Sequence, residues 1–288
     1  MNRSQLLPIV VAAVVVLAGC NALTGGDDTE TDTPTVTPVD VPTDEPTATP
    51  MPMLAPGLTE AGVVSASDLA NAHEDALDNG SYTIVSNSTV RDANGTLRYQ
   101  RNRIMRVSEG SEPFYAVSRY NGSGRQPVVT LQRIERWSDG ERLYSAIVRE
   151  NETRYSTSAL NRAFISVQKG DQFLSLFTAL ETRVVGQETR NGTELYRVRA
   201  TNITNPEYLP RSVLNTSKNP RNISFRALVD SEGIVQSYHL GYTTTEINRG
   251  VETTNRVTQS LRYTDIGSTT VERPAWYEAA NRTTTAAG

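Results

Sequence analysis

The chain has 288 residues, 37% of them hydrophobic, with 28 basic and 32 acidic side chains and a net charge of −4. That length and apolar content suffice for one domain with a sizeable core, and the charge balance excludes the strongly basic surface of a nucleic-acid binder. Cys20 is the only cysteine, which excludes an internal disulfide and any cysteine-rich metal site.

The first element is an export signal. Arg3 precedes an apolar run from Leu6 to Leu17, interrupted only by Pro8. The run is shorter than the roughly 18 to 20 apolar residues that a membrane-spanning helix needs. It ends at Leu17-Ala18-Gly19-Cys20, which resembles the lipobox of lipoprotein precursors. The resemblance implies that residues 1–19 are a lipoprotein signal peptide and that Cys20 carries lipid. The mature chain is then held at the cell membrane on its extracytoplasmic face. An uncleaved N-terminal anchor and a signal peptide cut elsewhere are the alternatives, and both leave the domain outside the cell. No Arg-Arg pair precedes the apolar run, which favours general secretion over the twin-arginine route.

Residues 20–57, the lipidated Cys and a stalk, follow. From residue 24 onward they are rich in Thr and Pro and hold Asp27, Asp28, Glu30, Asp32, Asp40, Asp44 and Glu45, with no Lys or Arg. Too few apolar residues are present to offset the entropy of ordering, so the stretch is expected to be disordered and extended, a spacer whose Thr residues are open to O-glycosylation. Setting aside those seven acids and Arg3 leaves 27 basic and 25 acidic residues, so the domain beyond is nearly neutral.

Residues 58–277 read as that domain. Ser65 or Ser67 caps a helix carrying Leu69, Ala72, His73, Ala76 and Leu77, stopped at Asn79-Gly80. Ten strands are predicted: 82–91, 96–107, 114–120, 128–137, 141–148, 183–188, 194–201, 223–230, 234–245 and 250–263. Asp92 to Gly95, Ser138-Asp139-Gly140, Asn191-Gly192 and Ser231-Glu232-Gly233 supply the tight turns. Between the two strand groups Asp171 caps a segment in which Phe173, Leu176, Phe177, Leu180 and Val184 recur at helical spacing. Residues 278–288 read as a disordered tail. The fold class is therefore mainly β with helices (α+β), a strongly curved antiparallel sheet of about ten strands with an N-terminal helix and a mid-chain helix on its concave face.

The hairpin 137–144, the mid-chain helix, Val229-Asp230-Ser231-Glu232-Gly233-Ile234-Val235, and the closing Tyr263 to Gly267 with Val271 to Trp276 resemble the half-barrel lipid-binding lipoproteins. That superfamily includes the periplasmic lipoprotein carrier, the mycobacterial lipid-binding lipoproteins and an envelope sigma-factor regulator. The lipobox, the acidic Thr/Pro stalk, Arg in place of all but two Lys, and many Asn-x-Ser/Thr sites also resemble haloarchaeal membrane lipoproteins of unassigned function. The resemblance implies a half-barrel that holds a lipid or apolar ligand. One strand parity would line it with Ile84, Leu131, Tyr144, Tyr196, Phe225, Tyr238 and Leu240, and Phe173, Phe177 and Leu180 would cover it. A parity slip of one would exchange the faces. A helix and sheet closed on each other, with no ligand, is the competing arrangement; the protein is then an interaction or sensory module for an envelope partner.

Catalytic chemistry is scarce. His73 and His239 are the only histidines and lie in no ligand cluster; no Gly-x-Ser-x-Gly elbow, phosphate loop or dinucleotide fingerprint occurs. Glu150 and Glu152 flank a turn and read as solvated. No cofactor, metal, enzymatic activity or nucleic-acid partner is expected. Glycan acceptors are expected at Asn87, Asn121, Asn151, Asn202, Asn215 and Asn222, whereas Asn-Gly sequons such as Asn94 and Asn191 are explained by turn chemistry alone.

Overall fold

The computed structural model describes residues 51–78, 80–122, 131–150, 152–160, 169–209, 220–248 and 251–285. Cys20, Asn79, Asn151 and Asn215 lie outside the described residues. Residues 49–288 group as one compact unit. It opens with a small antiparallel sheet of β1 (Met53–Ala55), β2 (Leu58–Thr59) and β3 (Gly62–Val63). Ala55 and Leu58 are buried, so part of the stretch expected to be stalk is packed. The reason is local: Met53-Leu54-Ala55 offers apolar side chains that the Thr/Pro residues before it lack.

Helix α1 (Ala66–Asp78) starts at Ser65, whose Oγ accepts the Asp68 N–H at 3.2 Å. It buries Leu69, Ala70, His73 and Leu77. Then come β4 (Tyr82–Asp92), β5 (Leu97–Val107), β6 (Phe114–Asn121), β7 (Leu131–Ser138), β8 (Arg142–Arg149) and β9 (Glu152–Ala159). Helix α2 (Lys169–Ala179) leads directly into β10 (Leu180–Arg190), followed by β11 (Thr193–Ile203), β12 (Arg221–Asp230), β13 (Val235–Asn248) and β14 (Val251–Thr264). Helix α3 (Tyr277–Thr285) comes last.

Three hairpins are held by an aspartate at the turn. Asp92 Oδ1 accepts the N–H groups of Asn94 and Thr96 at 3.0 and 2.9 Å. Asp139 Oδ1 does the same for Glu141 and Arg142, and Asp230 Oδ1 for Glu232 and Ile234. Each carboxylate replaces backbone partners that the reversing chain has lost, which explains the Asx-rich turns legible in the sequence.

Eleven strands form one open antiparallel sheet in the order β10-β11-β12-β13-β14-β4-β5-β6-β7-β8-β9. Two meanders, β4 to β9 and β10 to β14, join through the β14–β4 pair. The chain therefore leaves the sheet at one edge, β9, and re-enters at the other, β10. Helix α2 stands immediately before that second edge.

The eleventh strand is β9, which was not expected because Glu-Thr-Arg-Tyr-Ser-Thr-Ser-Ala shows no apolar alternation. The mid-chain helix ends earlier than its spacing predicts. Leu180 and Val184 fit a helical stripe and a strand equally well, and pairing of Leu180 with Ile203 and of Val184 with Val198 decides for the strand. The closing residues are not a disordered tail as far as Thr285: α3 packs on β8 and β9 with Ala280 fully buried.

Cross-strand register assigns the faces. Tyr82, Val107, Phe114, Ser138 and Leu143 share one row; Thr83, Arg106, Tyr115, Trp137 and Tyr144 form the next row and point to the opposite side. The first face carries α1 and α2 and most of the core. Near the β10 edge, Gly62 of β3 sits so close to Thr182 that a Cβ would lie 2.1 Å from its carbonyl oxygen, and the Val63 N–H donates to Thr182 Oγ1 at 3.0 Å.

Candidate functional site

On the helix-bearing face α2 inserts aromatic rings into aromatic rings. Phe173 meets Tyr238 edge to face at 5.9 Å, and Phe177 meets Phe225 in the same way at 5.8 Å. Gln172 Nε2 donates to the Tyr238 hydroxyl at 2.5 Å. Burial pushes the Tyr238 phenol up to about 12, against a smaller pull from Gln172 and the nearby Arg101 charge.

Helix α1 joins this cluster through His73, which is fully buried. Its Nδ1 accepts the Val235 N–H at 3.1 Å, and its ring packs edge-on against Phe173 and Tyr263 at 4.6 and 5.0 Å. An acceptor at Nδ1 fixes the neutral imidazole with its proton on Nε2. His73 is thus a strut between α1 and the turn before β13.

Of the residues expected to line or cover a ligand site, Phe173, Phe177, Leu180, Tyr196 and Tyr238 come together in this core, with Ile84, Phe225 and Leu240. Tyr144 does not. It stands on the opposite face in a second cluster with Trp137, Tyr277 and Ala280. The Ser138 to Glu141 turn sets Leu143, rather than Tyr144, opposite Ser138 on the helix-bearing side, so the parity assumed for β8 is off by one. Leu131 is half-buried, at a register irregularity of β7.

The helix-bearing face continues beyond the core. Tyr99, Tyr120, Ile134 and Ile147 share its parity, remain half-exposed, and lie outside the buried cluster. The Tyr99 and Tyr120 rings are 6.3 Å apart. Arg101, Arg103 and Arg136 are interleaved with them. Burial, then the neighbouring charges of Arg101 and Arg136, hold the Arg103 guanidinium below its ordinary pKa. This is an amphiphilic strip, apolar side chains set among cations.

Behind the sheet, the second cluster is tied down by Glu135. Its carboxylate accepts Trp276 Nε1–H at 2.7 Å, accepts the Tyr115 hydroxyl, and pairs with Arg133 at 3.0 Å. With those three donors in place Glu135 anchors the closing segment, a structural role that could not be read from the strand pattern. Glu152 pairs with Arg154 at 2.8 Å in the open. Among the described residues no three His, Cys, Asp or Glu side chains assemble as a metal site, and no helix is long and apolar enough to cross a membrane.

The described sequons are surface features. Asn121, Asn202 and Asn222 are exposed. Asn87 is half-exposed on β4 and accepts the hydroxyl of its own Thr89 at 2.9 Å. His239 lies on β13 beside Arg226, and burial followed by that charge holds its imidazole below the ordinary value.

No curated protein matches the chain in sequence. Similar solved structures include LprF from Mycobacterium bovis, at 10% identity over 73% of this chain and 95% of that one, with a TM-score of 0.39. A LolA superfamily protein from Nitrosomonas europaea covers 73% of this chain and 96% of its own at 10% identity and a TM-score of 0.25. A DUF1329 family protein from Desulfovibrio piger covers 74% and 95% at 11% identity and a TM-score of 0.27. Residues 5–280 match the model of DUF7537, a family of unknown function, and the chain belongs to that family.

Proposed function

We propose that the protein is a non-enzymatic lipoprotein, anchored through Cys20 on the extracytoplasmic face of the cell membrane, whose sheet curves as a half-barrel to hold a lipid or other apolar ligand. The observation that carries this reading is the half-exposed strip of Tyr99, Tyr120, Ile134 and Ile147, continuous by register with the aromatic core under α2. A hydrocarbon chain laid on it would remove apolar area from water, worth about 25 cal/mol per Å² before association costs.

A fluorescent fatty acid titrated into the protein tests the reading. Saturable binding is expected, and Ile134→Asp with Ile147→Asp should abolish it while leaving the far-UV circular dichroism unchanged. No binding, or binding indifferent to the two substitutions, refutes it. Cys20→Ser tests the anchor separately, with loss of lipid labelling and release from the membrane expected.

One observation favours a second reading. Phe173, Leu176, Phe177 and Leu180 are already packed to between 1 and 4% exposure, as a closed core requires. In that case the domain is an interaction or sensory module for an envelope protein, and the fatty acid will not bind.

A further inference from the structure

The face without α1 and α2 carries a feature unrelated to the apolar strip. A cavity of about 840 Å³ is lined by residues from six consecutive strands, β10 through β14 and β4, and five arginines border it: Arg190, Arg197, Arg199, Arg226 and Arg262. Its only carboxylate, Glu188, is held by Arg190 at 2.6 Å. Among the described ion pairs none engages the other four.

Register makes the arrangement unusual. Arg199 sits directly opposite Arg226, and Arg183 on β10 sits directly opposite Arg199, so three guanidinium side chains stand on adjacent strands. Neighbouring strands are about 4.8 Å apart, and like charges facing each other across a pair are destabilising. Elsewhere facing arginines come in twos, Arg91 opposite Arg256 and Arg119 opposite Arg133, the last of these paired with Glu135, and Arg98 and Arg154 each pair with a carboxylate. Only here, among the described residues, do three stand in a row. The backbone also makes room for the cluster. At the register irregularity in β10, Gly186 has φ +148°, and a Cβ there would lie 2.5 Å from the Arg197 guanidinium. Any side chain at 186 would push that charge aside.

We infer that this cavity is a binding site for a polyvalent phosphoanion, a diphosphate or a clustered set of phosphate groups. Guanidinium forks match phosphate oxygens in pairs, and several forks on fixed strands match several oxygens without the cost of gathering the cations at binding. The volume suits a small ligand. The phosphates could belong to a soluble molecule or to a lipid headgroup, and the chemistry at the arginines is the same.

Inorganic pyrophosphate, titrated calorimetrically into the full chain, is the first probe, and phosphatidylcholine vesicles with and without phosphatidic acid are the second. Pyrophosphate should bind more tightly than orthophosphate, and the binding should weaken with salt. Arg199→Gln and Arg226→Gln should each weaken it by about tenfold, the loss expected for one charge-assisted contact. Arg142→Gln and Arg154→Gln, each equal in charge removed but on β8 and β9, should not. With only two histidines in the chain, the His239 ring signal gives an independent readout: a phosphate beside Arg226 should raise its titration midpoint. Vesicle binding that needs both phosphatidic acid and Arg199, without pyrophosphate binding, assigns the site to a headgroup. Failure of both probes, or equal losses in the Arg142/Arg154 control, overturns the inference. Neither result bears on the apolar strip, which lies on the other face and is read by the fatty acid.

Discussion

Over β10 to β14 the two faces of the sheet are made by the same strands and have opposite chemistries. On β12 and β13, Phe225, Ala227, Tyr238 and Leu240 point towards α2, while Arg226 and His239, one position away, point to the other side. One face trades water for rings. The other keeps four arginines with no described ion pair, on strands that could have alternated their charges. The first face explains why the chain folds, whereas the second costs stability and so asks for a purpose.

That contrast breaks most directly at Phe173. Truncation to Ala should destabilise the domain by about 4 kcal/mol in urea unfolding, since the ring is 1% exposed and touches His73, Phe177 and Tyr238. A loss under about 1 kcal/mol would mean that α2 is not integral to the core. Glu135→Ala should cost about 2 kcal/mol, because it strands the Trp276 and Tyr115 donors, and limited proteolysis should then release α3.

Alkaline titration sharpens the comparison from another direction. Burial pushes Tyr238 up to about 12 and also raises Tyr263 and Tyr82 well above the ordinary phenol value. These phenols stay neutral in the fold while the unfolded chain ionises near pH 10. Their contribution is therefore complete below about pH 10 and is lost as the pH climbs towards 12. Of the twelve tyrosines, the share of the tyrosinate absorbance that belongs to these three should appear only with unfolding; full ionisation of all tyrosines in the folded protein would refute the assignment.

On the outer face the expected effects are small and of the opposite sign. Arg199→Gln should raise stability by about 0.3 kcal/mol at low salt by relieving the like-charge ladder, with the gain vanishing as salt is added. Arg154→Gln, at an exposed pair, should leave the melting temperature unchanged.

Much of the fold was legible where local chemistry is one-sided. Asp92 and Asp139 marked hairpins because their carboxylates do the work of the turn, and Ser231-Glu232-Gly233 marked a third, which Asp230 holds. Ser65 or Ser67 marked the start of α1, and the Asp68 N–H selects Ser65. What escaped depended on pairing. Leu180 suits helix and strand alike, and β9 has no alternation because it lies at an edge beneath α3. Tyr144 went to the other face through a single step of parity. The arginine ladder was invisible for the same reason: Arg183, Arg199 and Arg226 are far apart in the chain, and only register makes them neighbours.

The close approach of Gly62 to Thr182 bears on how the chain behaves in company. An open sheet ends in strands whose unpaired amides invite a neighbouring molecule to add its own, the first step towards fibres. Here β3 lies against one rim, and α3 lies along the other, where Thr157 Oγ1 donates to the Ala280 carbonyl. Glu181, Arg183, Glu188 and Arg190 mark the first rim with charge. A bulky residue at position 62 would lift the guard from that rim, and its first symptom would be loss of solubility at high concentration while the isolated molecule remained folded.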